Sequence, residues 1–139
     1  MIKGKMLWDD IWMQLAYSIS TRSNDPRLKV GAVIVTEDNE TVLAAGYNGD
    51  EKGGDNQPDS LEPGKSGFIH AEVNAIAKMN YNDPRDKKIY LTHSPCPVCS
   101  RLIINAGIKR VVYWQDYRDN TGVEILKSRD IEVIKCPEG

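Results

Sequence analysis

"KKIYLTHSPCPVCSRLIINAGIKRVVYW" occupies residues 87–114, and its reading decides the architecture. "KKIYLTH" (87–93) reads as a strand. "PVCSRLIINAG" (97–107) reads as a helix that ends at a C-cap glycine, Gly107. "KRVVYW" (109–114) is a second strand. "NTGVEILKSRD" (120–130) reads as a short helix and "IEVIKC" (131–136) as a last strand. The resulting β-α-β-α-β order favours right-handed crossovers and parallel neighbours.

Upstream the pattern changes. Leu7, Trp8, Ile11, Trp12, Leu15, Ala16 and Ile19 follow the 3.6-residue period of an amphipathic helix. "TRSNDPRLK" (21–29) breaks it with Asn, Asp and Pro. "VGAVIVT" (30–36) reads as a buried strand, "EDNE" as a turn and "TVLAAGYN" (41–48) as its hairpin partner. These two strands are too close in sequence for a crossover. No G-x-G-x-x-G follows the first of them, which argues against an all-parallel dinucleotide-binding sheet. A helix is expected over 71–79. The expectation is an α/β fold: a three-layer α/β/α sandwich around a mixed five-stranded sheet, one domain spanning 1–139. Residues 49–67 form a long polar stretch with five glycines and two prolines, the mark of a functional or mobile loop.

Composition narrows the function. At 139 residues the chain is large enough to bury a core without disulfides. Hydrophobic residues are 40% and charged residues 27%, with a net charge of −2. Nothing here points to a nucleic-acid or membrane surface. Acidic residues in "MIKGKMLWDDIW" stand where a signal peptide needs an apolar run, so a cytoplasmic location is expected. The three cysteines are odd in number, and two sit as "CPVC" (96–99), which suits a metal or redox site better than a disulfide framework.

The chemistry concentrates in two short motifs, His70-Ala71-Glu72 and Pro95-Cys96-Pro97-Val98-Cys99. Taken together they form the H-x-E…P-C-x-x-C signature of zinc-dependent deaminases. Cys96 and Cys99, at i and i+3, share one side of a first helical turn. With His70 they offer two thiolates and an imidazole to Zn²⁺ and leave one tetrahedral position open, as catalytic sites do. At such a position zinc brings the pKa of water toward neutrality. A closed structural site would need a fourth ligand, for which His93 and Cys136 are the remaining candidates. Both motifs sit at predicted helix N-termini, whose positive ends favour thiolates. On an ideal helix His70 and Glu72 would point about 200° apart. His70 is therefore expected at or before the helix start, with Glu72 as the proton carrier between water, ring nitrogen and leaving amine.

The chain resembles the deoxycytidylate (dCMP) deaminases of the cytidine deaminase superfamily. "SNDPRLKVGAVIV", "AAGYNG", "HAEVNAI" and "SPCPVCSRLIINAGIKRVVY" carry the likeness over nearly the whole chain. The resemblance implies a cytidine deaminase-like fold, deamination of dCMP to dUMP for dTTP supply, and a homo-oligomer, commonly a hexamer. It also implies activation by dCTP and inhibition by dTTP, with Mg²⁺ on the triphosphates. By the same resemblance Asn48 contacts the sugar and Tyr117 lies near the substrate phosphate. Ala71 and Ser94 flank the ligands, placed to offer backbone groups to the base.

The bland alternatives stay open. Asn48 could be a turn residue, Tyr117 an exposed loop tyrosine, and Phe68 a stacking partner or a staple into the core. Arg22, Arg27 and Lys29 suit a nucleotide phosphate or a solvated loop. An effector site is expected from Arg27, Asn48, Gly49, Asp50 and Glu51. Two departures matter. The extra Cys and His residues of members with a second, structural zinc are missing, so one zinc is expected. Where the family has a small residue and a proline after "GYNG", this chain has "DEKGG". Competing readings are a deaminase of tRNA or single-stranded nucleic acid, which needs a positive track absent from this composition, a free cytidine deaminase, and a structural zinc or redox module.

Overall fold

The apolar run at 31–36 sends its side chains to two different partners. Val33 and Val35 pack with Trp12, Met13 and Ala16, while Ala32 and Ile34 pack with Ala71, Ala75 and Ile76. A strand buried on both faces must be covered on both, which fixes three layers. The computed structural model describes residues 4–137. The elements are α1 (Trp8–Ser20), β1 (Gly31–Thr36), β2 (Val42–Tyr47), α2 (Ala71–Lys78), β3 (Lys87–His93), α3 (Pro97–Asn105), β4 (Ile108–Gln115), α4 (Thr121–Ser128) and β5 (Glu132–Lys135). The sheet order is β2-β1-β3-β4-β5. β1 runs antiparallel to β2 and β3, whereas β3–β4 and β4–β5 are parallel.

The mixed five-stranded sheet expected from the sequence is thus the one observed. Among the described residues α1 is the one helix on one face, over Tyr90 and Val112. α2, α3 and α4 cover the other, where Ile103, Val123 and Leu126 meet Ile89, Leu91 and Val111. α3 stops at Asn105, and Gly107 takes the left-handed backbone (φ +79°) that ends it. Among the described residues no helix is long and apolar enough to cross a membrane.

One polar knot sits in the α1 layer. Asn39, in the β1–β2 turn at φ 66°, accepts hydrogen bonds from Trp12 Nε1 (2.9 Å) and Lys88 Nζ (2.7 Å). Lys88 is only 3% exposed, and burial lowers its pKa. Beside it the Tyr90 hydroxyl donates to Asp9. Asn39→Ala would orphan two buried donors and place a Cβ-bearing residue without a local polar partner in left-handed backbone. It should cost about 2–4 kcal/mol in urea denaturation. Asn39→Asp keeps both the acceptor and the tolerance of positive φ, and should lose far less.

Candidate active site

Both helices that carry the motif residues begin at the same place. His70 is the N-cap of α2 (φ −66°, ψ 152°) and Cys96 the N-cap of α3 (φ −71°, ψ 168°). Each is extended backbone, so neither side chain is committed to a helix face. Pro97 starts α3 with an amide that needs no hydrogen, and the Cys96 sulfur accepts from the Cys99 amide at 3.4 Å. Glu72 then falls in the first turn of α2, where a negative charge is favoured.

His70 Nδ1 lies 3.2 Å from Cys99 Sγ and 3.5 Å from Cys96 Sγ. All three ligand atoms lie within 4.8 Å of one another. A tetrahedral zinc with bonds of about 2.0–2.3 Å holds neighbouring ligand atoms roughly 3.5 Å apart, so the donor set fits. Among the described residues the group comprises these three alone. His93 stands in the cavity wall rather than in the group, and Cys136 is buried with α1 on the opposite face of the sheet. Neither joins the three, so among the described residues no further His or Cys stands with the group.

The electrostatics fit a cation. Cys99 donates to Cys96, which brings the Cys96 thiol down to about 4. The same bond, together with burial, pushes Cys99 up. Hydrogen bonding to Cys96 raises His70, with Glu72 nearby adding to the effect. Paired sulfurs beside an imidazole suit a divalent ion, whose binding would displace their protons. Glu72 is buried, at 4% exposure, and that burial raises its pKa.

A cavity of about 80 Å³ opens on this group. His70, Ala71, Glu72, Cys96, Ser94, Asn48 and Tyr117 line it, so seven residues singled out in the sequence meet in one place. Asn48 is held tightly. Its Oδ1 accepts from Val30 N (2.8 Å), and its Nδ2 donates to Leu28 O (2.8 Å) and Asp25 Oδ2 (3.2 Å). Ser94 Oγ accepts from Tyr117 N at 2.7 Å. Phe68 is buried but lies outside the cavity wall. Arg22 is exposed at the end of α1 and lines no cavity at the site, and Lys29 Nζ donates to the Ser23 carbonyl.

A second cavity of about 260 Å³ shares Leu28, Gly64, His93 and Tyr117 with the first and adds Arg27, Asp116 and Arg118. The Arg118 guanidinium lies over the Tyr117 ring, 5.0 Å from its centre. Neither Arg27 nor Arg118 is in a salt bridge among the described residues, while Asp116 is paired with Lys135 at 2.7 Å. Arg118 is a site residue that sequence reasoning passed over, and His93, considered there only as a fourth metal ligand, lines both cavities instead. Arg118 directly follows Tyr117, and that adjacency is the signal that could have found it.

The expected effector residues lie around the start of the long loop. Gly49 and Ile69 form an isolated antiparallel bridge that clasps the two ends of the loop. Asp50 Oδ2 accepts from Asn56 N at 3.0 Å, and both carboxylates of Asp50 and Glu51 crowd Gly54. The loop returns to the site through Gly64 and Ser66, which line the first cavity.

Residues 6–115 match the cytidine and deoxycytidylate deaminase zinc-binding region. ComE operon protein 2 of Bacillus subtilis is 38% identical over 120 residues, covering 82% of this chain and 62% of that protein. Deoxycytidylate deaminase of Homo sapiens is 35% identical over 125 residues, covering 81% of this chain and 68% of the human one. The dCMP deaminase of cyanophage S-TIM5, solved in complex with dCMP and dUMP, superposes with a TM-score of 0.81 at 36% identity, covering 95% of this chain and all of that one. The chain thus spans about three fifths of the first of these relatives, 62% of its length.

Metal content tests the ligand set directly. The unaltered chain should hold about one zinc, and alanine at His70, Cys96 or Cys99 should leave close to none, because three ligands are the minimum of such a site. Zinc retained at full stoichiometry after Cys99→Ala would show that the ion sits elsewhere.

Proposed function

The chain belongs to the cytidine and deoxycytidylate deaminase family, and from that premise we propose that it hydrolyses dCMP to dUMP and ammonia. One observation carries this reading. The cavity lined by His70, Glu72 and Cys96 shares Leu28, Gly64, His93 and Tyr117 with a second one edged by Arg27 and Arg118, an arrangement that would give a base and a 5′-phosphate adjoining receptacles. Guanidinium groups outside any salt bridge among the described residues suit a phosphate dianion. A free nucleoside would leave them idle, and an oligonucleotide would need many more cations than a chain of net charge −2 concentrates.

The chain's own residues then divide the work. Zinc, when bound by His70, Cys96 and Cys99, supplies Lewis acidity toward the attacking water. Glu72 takes a proton from that water on its carboxylate and delivers it to ring N3 as the water oxygen bonds to C4. It then takes the remaining proton from the C4 hydroxyl and passes it to the amine as the C4–N bond breaks, leaving the C4 carbonyl and ammonia. Burial raises its pKa and so eases the protonated state through which the shuttle passes. α2 begins without a side-chain cap, so its first amides remain available to the base, and Ser94 flanks the opposite side. Both Nδ2 hydrogens of Asn48 are taken, but Oδ1 has one lone pair left, which suits a sugar hydroxyl as donor.

The same proposal extends to regulation and setting. The enzyme serves dTTP supply as a cytoplasmic homo-oligomer, a hexamer in the family pattern. The clasped loop from Gly49 takes dCTP as activator and dTTP as inhibitor, with Arg27 and Asn48 at its base. Asp50 and Glu51 repel a bare triphosphate, so Mg²⁺ is part of the ligand.

Glu72→Ala should keep zinc and fold while turnover falls by at least ~10²–10⁴-fold. Near-normal turnover would remove the shuttle role. The double variant Arg27→Ala/Arg118→Ala tests the substrate class. Its KM for dCMP should rise roughly 10–100-fold, the loss of charge-assisted bonds worth about 1.5–3 kcal/mol, with the slow turnover of deoxycytidine unchanged. Equal losses on both substrates would place the phosphate elsewhere. For regulation, dCMP saturation should be sigmoidal, made hyperbolic by dCTP-Mg²⁺ and suppressed by dTTP-Mg²⁺, with apparent affinity shifts of ~5–150-fold. Saturation that stays hyperbolic and indifferent to both triphosphates would confine the protein to unregulated catalysis.

A further inference from the structure

We propose that Gly122 is a positioning residue for the metal centre, its bare backbone forming the backstop against which the Pro95–Cys96 segment is set. The inference rests on the reading that His70, Cys96 and Cys99 hold zinc. Gly122 is buried in the first turn of α4. A Cβ built there would lie 2.1 Å from the Pro95 carbonyl oxygen, 2.7 Å from Ser100 Oγ and 2.9 Å from the Cys96 carbonyl carbon. All three atoms belong to the short segment that carries Cys96 and Cys99. Two of them are backbone, so no rotamer change relieves the contact. Ser100 Oγ is itself fully buried without a hydrogen-bond partner among the described residues, which leaves this side no slack.

The glycine is not there for its backbone. It lies outside the set of glycines with positive φ, and glycine in a helix costs about 1 kcal/mol relative to alanine. Space is what it provides. Nor can α4 easily retreat, because the chain leading into it is fastened to the same segment. Ser94 N donates to Gln115 O at 2.9 Å, and Tyr117 N donates to Ser94 Oγ at 2.7 Å. Behind, Val123 and Leu126 are packed into the core. The metal-ligand segment is therefore gripped from two sides, by hydrogen bonds at Ser94 and by contact at Pro95 and Cys96. Opening the Pro95 contact from 2.1 Å to the 3.0 Å a real Cβ requires would move the backbone next to Cys96. Metal–ligand distances tolerate only about ±0.2 Å.

Gly122→Ala is the test, read by zinc competition against a chromophoric chelator, the cobalt(II)–thiolate spectrum, kcat and circular dichroism. The expected result is a native fold with zinc affinity lowered roughly 10–100-fold, the range for residues that orient ligands from behind, and a displaced cobalt band. Glu124→Ala, on the exposed side of the same turn, should change none of these. Unaltered zinc affinity and cobalt spectrum in Gly122→Ala, whatever its melting temperature, would overturn the proposal. If that variant does not fold, hydrogen exchange in the unaltered chain decides. Zinc should slow exchange across 121–124, a stretch with no ligand, and exchange indifferent to zinc there would overturn it. Failure of the unaltered chain to take up zinc would instead sink the metal-site reading, and the proposal with it.

Discussion

Two helix N-termini aimed at one point are the constraint from which the site follows. His70 caps α2 and Cys96 caps α3, and both are extended residues rather than helical ones. That placement frees their side chains to converge with Cys99, 3.2 to 3.5 Å across the group. It also sets Glu72 in the first turn of α2, inside the same cavity but not in the ligand set. The positive helix ends favour the thiolates. The sheet supplies the geometry. α3 is the crossover between the parallel strands β3 and β4, so its start must lie beyond the carboxyl end of β3, where open α/β sheets place their ligands.

The rest of the cavity is built by fastening loops to that end of the sheet. Asn48 ties the segment 25–30 through Asp25, Leu28 and Val30, which brings Leu28 and Arg27 to the rim. Ser94 ties the β4–α4 loop through Tyr117, which brings Arg118 to the other rim. The two arginines thus come from segments some ninety residues apart, each positioned by one buried polar side chain. Such networks leave few donors to spare and define one arrangement when every member is satisfied.

Much of this was legible in the sequence because it is local. Strand and helix periodicity over 87–114 announced the parallel unit, and H-x-E with P-C-x-x-C announced which side chains the fold brings together at the cavity. The incompatibility of His70 and Glu72 on one helix face anticipated that His70 precedes α2. What stayed hidden depends on contacts between distant segments. Arg22 and Arg27 look equivalent in "TRSNDPRLK", yet the tight turn around Asp25 sends only Arg27 to the cavity. Phe68, two residues before His70, reads equally as a stacking partner or a staple into the core, and the clasp of Gly49 on Ile69 accompanies its burial away from the cavity wall. Gly122 carries no motif at all, and only the approach of α4 to Pro95 gives it meaning.

The central claim is that this cavity takes a pyrimidine nucleotide with its phosphate attached. The most direct measurement is ammonia release by the zinc-loaded, unaltered chain from equal concentrations of dCMP, deoxycytidine and a cytosine-containing single strand. The account predicts that dCMP is turned over far faster than either of the others. Turnover of the single strand with dCMP untouched would contradict it.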